Sequence, residues 1–240
     1  MNSSWLIAAL LAWVGGLGIP MGGFLNSSIS AVLKKNRTIF NHFMTALGGG
    51  ALLSAVALVL VPDGMEKQND YVGVSTFVLG GFLFLLLDRR MARSKGGGPQ
   101  VVAMVSDFIP EAIALGAVFL QSVEQAYLLA GIMMIQNIPE GYNAFDEFPS
   151  EGSKKRRNKH TLKVFIAISI LGPICAMVGA LALAEHESLL GALMTTSAGG
   201  ITYLIFRDIA PAANLRNNFY PSFGSILGFA VGLLGWSLVH

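Results

Sequence analysis

The chain is 240 residues long, 53% hydrophobic and only 12% charged, with a mean hydropathy of +0.61. A soluble domain is about a quarter charged, so this composition excludes an ordinary soluble globule and points to an all-α integral membrane protein whose single domain spans 1–240. The net charge of +2 is no sign of nucleic-acid binding, because the basic residues flank apolar segments, where topology and anionic headgroups account for them.

Apolar runs of about the 20 residues that cross hydrocarbon predict eight transmembrane helices, at 5–25, 40–61, 71–87, 100–121, 125–145, 163–184, 189–209 and 222–239. The first follows Met1 to Ser4 without a basic stretch and is too long for a signal-peptide core, so it is expected to remain in the mature protein. The second carries Gly49-Gly50 and ends near Pro62, with Gly50 standing 12 residues before the proline. The third closes on Leu87-Asp88-Arg89, and Gly96 to Gly98 with Pro99 predict a flexible break after it. The run Lys154 to Lys159 reads as a solvated loop. Cys175, the one cysteine, excludes an intrachain disulfide and reads as an inert thiol packed in the sixth helix. The seventh helix repeats the pattern of the second, with Gly199 12 residues before Pro211. An inverted-topology repeat, helices one to three against six to eight, would produce that echo; so would chance, since paired glycines are common where membrane helices pack closely.

Basic residues accumulate in cytoplasmic loops. Lys34, Lys35 and Arg37 follow the first helix, Arg89, Arg90, Arg93 and Lys95 the third, Lys154 to Lys163 the fifth, and Arg207 and Arg216 the seventh; of all Lys and Arg only Lys67 lies elsewhere. The opposite loops carry Asp63, Glu66, Asp70, Glu124, Glu185 and Glu187. Both termini are therefore expected outside a multi-pass chain in the cell membrane.

The fourth and fifth helices hold the chemistry. They read Asp107-Phe108-Ile109-Pro110-Glu111 and Gln136-Asn137-Ile138-Pro139-Glu140. In each, an oxygen-bearing side chain sits four residues before the glutamate, on the same helical face, and two such faces opposed make a cation site. Proline lacks an amide proton, so Pro110 and Pro139 release the carbonyls of Ser106 and Ile135, which in a membrane need a partner or a watery cavity. At about 2.5 to 3.5 kcal/mol each, unpaired Asp107, Glu111 and Glu140 near the bilayer centre cost on the order of 8 to 10 kcal/mol, and neither helix contains Lys or Arg. Protonation with hydrogen bonding across the helix pair is the bland compensation; a bound cation is the functional one. Asn143 and Glu147 continue the same face and mark an exit path or a solvated helix end. Met104 and Met133 lie within a turn of the motifs and read as packing. The four histidines, His42, His160, His186 and His240, fall at or beyond helix ends, away from a midplane ion.

At these residues the chain resembles the ZIP family, zinc and iron permeases of eight helices whose fourth and fifth helices carry His-Asn-x-Pro-Glu-Gly and Gln/His-Asp/Glu-x-Pro-Glu-Gly. Val61-Pro62-Asp63, Leu87-Asp88-Arg89 and Tyr203 to Pro211 also look like family positions. The resemblance implies a 3+2+3 helix arrangement and a divalent metal cation transporter, moving zinc, iron(II) or manganese towards the cytoplasm. It also implies a metal site formed by Asp107, Glu111, Gln136, Asn137 and Glu140. Asp107 stands where the family has histidine, Phe108 where it has asparagine, Asn137 where it has an acid, and Gly172-Pro173 where many members have Glu-Pro. Phe108 and Gly172 supply no side-chain ligand, which argues against a two-metal centre. All-oxygen ligands lean towards manganese, whereas imidazole and thiolate favour zinc. Expected partners are divalent ions, as substrate rather than cofactor, and the lipid bilayer, with a second copy of the chain as a candidate and no nucleic acid. A transport-inactive scaffold or metal sensor is the alternative. A membrane metalloenzyme fits less well, since neither Glu-x-x-His pairs nor His-Glu-x-x-His occur.

Overall fold

The computed structural model describes residues 4–29, 36–93, 99–147 and 154–239. It is 92% helical with no strand among the described residues. Helices α1 (Ser4–Gly16) and α2 (Gly18–Ile29) make one apolar length broken at Leu17; α3 (Arg37–Ala55) runs through a π-helical turn at Val56–Leu60 into α4 (Val61–Glu66); α5 (Asp70–Arg93), α6 (Pro99–Gln121) and α7 (Val123–Glu147) follow. Then come α8 (Lys154–Ser169), α9 (Leu171–Val178) with a π turn at Gly179–Leu183, α10 (Glu187–Leu204) with a π turn at Ile205–Ile209, α11 (Ala210–Ala213) and α12 (Tyr220–Val239).

Among the described residues, 7 helical lengths are long and apolar enough to cross a membrane: Ser4–Ile29, Arg37–Glu66, Asp70–Arg90, Met104–Gln121, Asn158–Leu183, Glu187–Ala213 and Tyr220–Val239. α7 has 25 residues, about 37 Å of helix at 1.5 Å per residue. It falls short in apolarity because it holds Gln136, Asn137, Glu140, Asn143 and its terminal acids.

One expectation is corrected. Lys154 to Lys159 form the first turns of α8 rather than a loop, because Lys and Arg are good helix formers and the helix extends beyond its apolar part. The expected break at Gly96 to Gly98 and the residues Lys34, Lys35, Lys95 and His240 lie outside the described residues, while Pro99 begins α6, a position where its missing N–H costs nothing.

Two helix pairs repeat one contact. A Cβ at Gly50 of α3 would fall on the carbonyl of Ser225 in α12, and one at Gly228 on that of Leu47; a Cβ at Gly199 of α10 would fall on the carbonyl of Phe77 in α5, and one at Gly80 on that of Thr196. Backbones approach this closely only through glycine. The same two lengths each carry a π turn just ahead of a proline, Val56–Leu60 before Pro62 and Ile205–Ile209 before Pro211, where a missing amide proton makes the wider turn cheap. The partner helices start alike as well. Asn69 Oδ1 accepts the Tyr71 N–H at 3.0 Å, and Asn218 Oδ1 accepts the Tyr220 N–H at 3.1 Å.

α6 and α7 pack against each other at the centre, with α1, α2, α3 and α9 around them, and their inward residues Leu115, Leu129 and Met133 are fully buried. α5 and α12 form the outer wall: 11% and 17% of their apolar lengths are buried, against 61% for α6, so their apolar side chains lie on the outside of the bundle. Polar ties sort the helix ends. The Arg37–Asp146 ion pair at 2.7 Å, the Asn26 Nδ2 bond to the Tyr142 carbonyl at 2.8 Å, the His42 Nδ1 contact with the Ala212 carbonyl at 2.6 Å and the Arg207–Asp88 pair at 3.1 Å gather one end. Gln68, Thr76 and Thr195 meet at the other, with Gln68 Nε2 donating to Thr195 Oγ1 at 3.0 Å.

Candidate functional site

Both motif helices continue through their prolines, which keeps each glutamate in register with the residue four places before it. The result is a polar group inside an apolar bundle. Asp107, Glu111 and Gln136 are buried, at 3%, 0% and 1% exposure. Gln136 Nε2 donates to Glu111 Oε2 at 2.6 Å across the α6–α7 interface. The other oxygens, Oε1 of Glu111, Oε1 of Gln136 and both carboxylate oxygens of Glu140, are buried without a hydrogen-bond partner among the described residues. Asp107 Oδ1 accepts the N–H of Phe108 at 2.8 Å. The charge of Asp107 is within electrostatic range of Glu111, and that of Glu140 within range of both. Three acids so placed repel one another when ionised, and burial strengthens the repulsion.

A cavity of about 420 Å³ reaches this group. Asp107 and Glu140 line it together with Met104, Thr45, Gly48 and Asn143, and it runs past Leu204 to Arg207, Asp208, Pro211 and Ala212. The Arg207 side chain is 57% exposed and marks the mouth, at the bundle end that also holds Arg37 and Asp146. Access to the acids therefore runs between α3, α7 and the Ile205–Ile209 turn.

Of the residues expected at the site, Asp107, Glu111, Gln136 and Glu140 come together. Asn137 stands apart. Its Nδ2 donates to the carbonyl of Gly15 in α1 at 3.0 Å, because the next residue along a helix points about 100° away from its neighbour. It ties α7 to α1 instead of facing the acids. Asn143 lines the cavity; the Glu147 side chain lies outside the described residues. Asp146 is engaged by Arg37 and by Asn26 Nδ2 at 3.2 Å.

Phe108 and Gly172, neither of which offers a side-chain ligand, pack on each other. Phe108 is fully buried, and a Cβ at Gly172 would come within 2.9 Å of its Cζ, one at Gly16 within 2.8 Å. The Phe108 ring thus packs against α1 and α9, while Asp107 lines the cavity. Among the described residues, no three His, Cys, Asp or Glu side chains converge as a preformed metal cage. An ion taken up here would draw on pairs of carboxylates, the Gln136 amide oxygen and water, a donor set that suits hard ions retaining part of their hydration.

Arg207, Asp208 and Asp88 belong to this region and are not evident as such in the sequence. Arg207 reads there as one more topology-setting charge. The available signal was Asp208, an acid in the last turn of an apolar helix three residues before a proline. Comparison with known families and with curated proteins finds no family model and no curated protein that matches the chain.

Proposed function

We propose that the chain carries divalent metal cations across the membrane towards the cytoplasm, through a carboxylate-lined site between α6 and α7, as a divergent relative of the zinc and iron permeases. The observation that carries the reading is the set of buried, unpartnered oxygens on Glu111, Gln136 and Glu140 beside a cavity. A buried carboxylate without a partner is costly in a low-dielectric interior, and a cation entering along the cavity satisfies several such atoms at once.

In this reading α7 is the eighth span, polar because it lines the pathway, and the end rich in Lys and Arg is cytoplasmic, with both termini on the external side of the cell membrane. The sorting of helix ends by the Arg37–Asp146 and Gln68–Thr195 contacts supports alternating helices. The repeated glycine contacts and paired π turns support an inverted repeat flanking α6 and α7. Oxygen-only ligands favour manganese or iron(II) alongside zinc.

Uptake by purified protein in liposomes, measured across a panel of divalent ions, tests the proposal. Glu140→Gln and Glu111→Gln should each lower flux by about an order of magnitude, since each deletes a charge where desolvation makes charge decisive. Glu124→Gln, at an exposed position, should leave it unchanged. Wild-type flux in both site variants would remove α6 and α7 from the pathway. A transport-inactive scaffold or sensor is the second reading, favoured by the lack of a preformed cage among the described residues; it predicts metal binding without flux.

A further inference from the structure

A cavity meant for cations contains a guanidinium. Arg207 lines it together with Asp208, Glu140 and Asp107, yet its Nε donates to Asp88 Oδ2, at the end of α5, at 3.1 Å. The Tyr203 hydroxyl donates to the same oxygen at 2.9 Å, so Asp88 is oriented from two sides. Asp208 lies within electrostatic range of both Arg207 and Asp88. An arginine among carboxylates should pair with those of the cavity. Here an acid on a different helix holds it instead. With side-chain exposures of 57% and 26%, this ion pair is of the weak, solvent-screened kind, and a modest change in its partner is enough to release it.

From this geometry we infer that Arg207 is a tethered counter-ion, and that Asp88 keeps the cavity selective for cations by holding that charge away from Asp208 and Glu140. Released, the guanidinium has the cavity carboxylates as its nearest anions and occupies the charges a metal needs. Asp88 is thus a positioning residue, acting on the ion only through Arg207. The inference rests on the transport reading for its consequence, but its electrostatic core does not.

Two measurements test it. In liposomes, Asp88→Asn should slow metal uptake about tenfold, Arg207→Gln should match or exceed the parent, and the double variant Asp88→Asn/Arg207→Gln should recover, because the charge to be restrained is gone. Rescue separates this role from a merely structural ion pair, for which the two single variants fail alike and the double is no better. Without any metal, a cysteine at Thr45 in a Cys175→Ala background reports the cavity potential through its relative reactivity with cationic and anionic methanethiosulfonates. That preference for the cation should fall about tenfold in Asp88→Asn and rise in Arg207→Gln. An unchanged preference in Asp88→Asn, or uptake lost in that variant and not rescued, overturns the inference. A preference that shifts as stated in a protein that moves no metal leaves the role of Arg207 standing and sinks the transport reading instead.

Discussion

The side-chain amide of Gln136 donates to Oε2 of Glu111 at 2.6 Å, joining the two proline-bearing helices at their polar centre. The bond joins an amide donor to a carboxyl acceptor inside the bundle. It also sets the division of labour at the site: Gln136 and Glu111 form the inner pair, and Asp107 and Glu140 face the cavity.

Replacing Gln136 by leucine removes the only donor to Glu111 among the described residues, at a cost of about 1–3 kcal/mol. Gln136→Leu should melt at lower temperature, and the proposed site predicts that manganese stabilises the parent protein but not this variant. Thermal unfolding in detergent, with and without metal, reads both effects. A metal-dependent shift as large as the parent's would show that this amide is no part of the site.

Asn137 is expected to behave in the opposite way. Its Nδ2 is spent on the Gly15 carbonyl at 3.0 Å, so Asn137→Ala should lower stability by about 1–3 kcal/mol while leaving the ranking of transported metals intact. A reordered ranking in the uptake panel would return Asn137 to the ligand set.

The helices and the four converging site residues were legible because their signals are local. Apolar runs of membrane length, and an acid four residues after an oxygen donor, need no tertiary information. The Asn137 contact was not legible for a physical reason: spacing places a residue on a helix face but does not say which neighbour that face meets, and Gly15 of α1 is 122 positions away. Arg207 was invisible for a similar reason. In sequence it is a cytoplasmic charge like Arg216, and only the packing of α5 against α10 brings it to Asp88 and into the cavity wall. The basic start of α8 shows the other failure, in which charge was read as loop although Lys and Arg propagate a helix readily.

The topology proposed for the chain has its own test. In intact cells, cysteines placed at Arg93 and Lys155 should resist an impermeant thiol reagent, whereas one at Asn69 should react, if the basic loops are cytoplasmic as proposed. Labelling at Lys155 from outside would reverse the orientation and with it the direction of transport.

The paired glycine contacts make a sharper structural prediction. A side chain at Gly50 or Gly199 would have to displace the backbone carbonyl of Ser225 or Phe77, whereas a Cβ at Gly131 meets nothing within 4 Å. Gly50→Leu and Gly199→Leu should each abolish the monodisperse folded peak in size-exclusion chromatography, because backbone cannot move aside as a side chain can. Gly131→Ala should leave it unchanged. Full folded yield from either leucine variant would mean that α3–α12 and α5–α10 do not pack as described.

Metal preference bears most directly on the ligand chemistry. Asp107 lines the cavity, its charge is within range of Glu111 and Glu140, and among the described residues no imidazole lines the cavity with it. Carboxylate and amide oxygens hold manganese and iron(II) well and give zinc no special advantage, while an imidazole at this position supplies the nitrogen that zinc favours. Manganese or iron(II) should therefore compete for uptake at least as well as zinc in the wild type, and Asp107→His should move the ranking towards zinc by about tenfold. The histidine variant also removes one negative charge, so Asp107→Asn serves as the control: it should lower uptake of every ion without reordering them. If the wild type moves zinc far better than manganese and Asp107→His leaves that ranking as it was, ligand hardness does not govern selection here. Cavity dimensions, set in part by Met104 one turn before the acid, would then be the place to look.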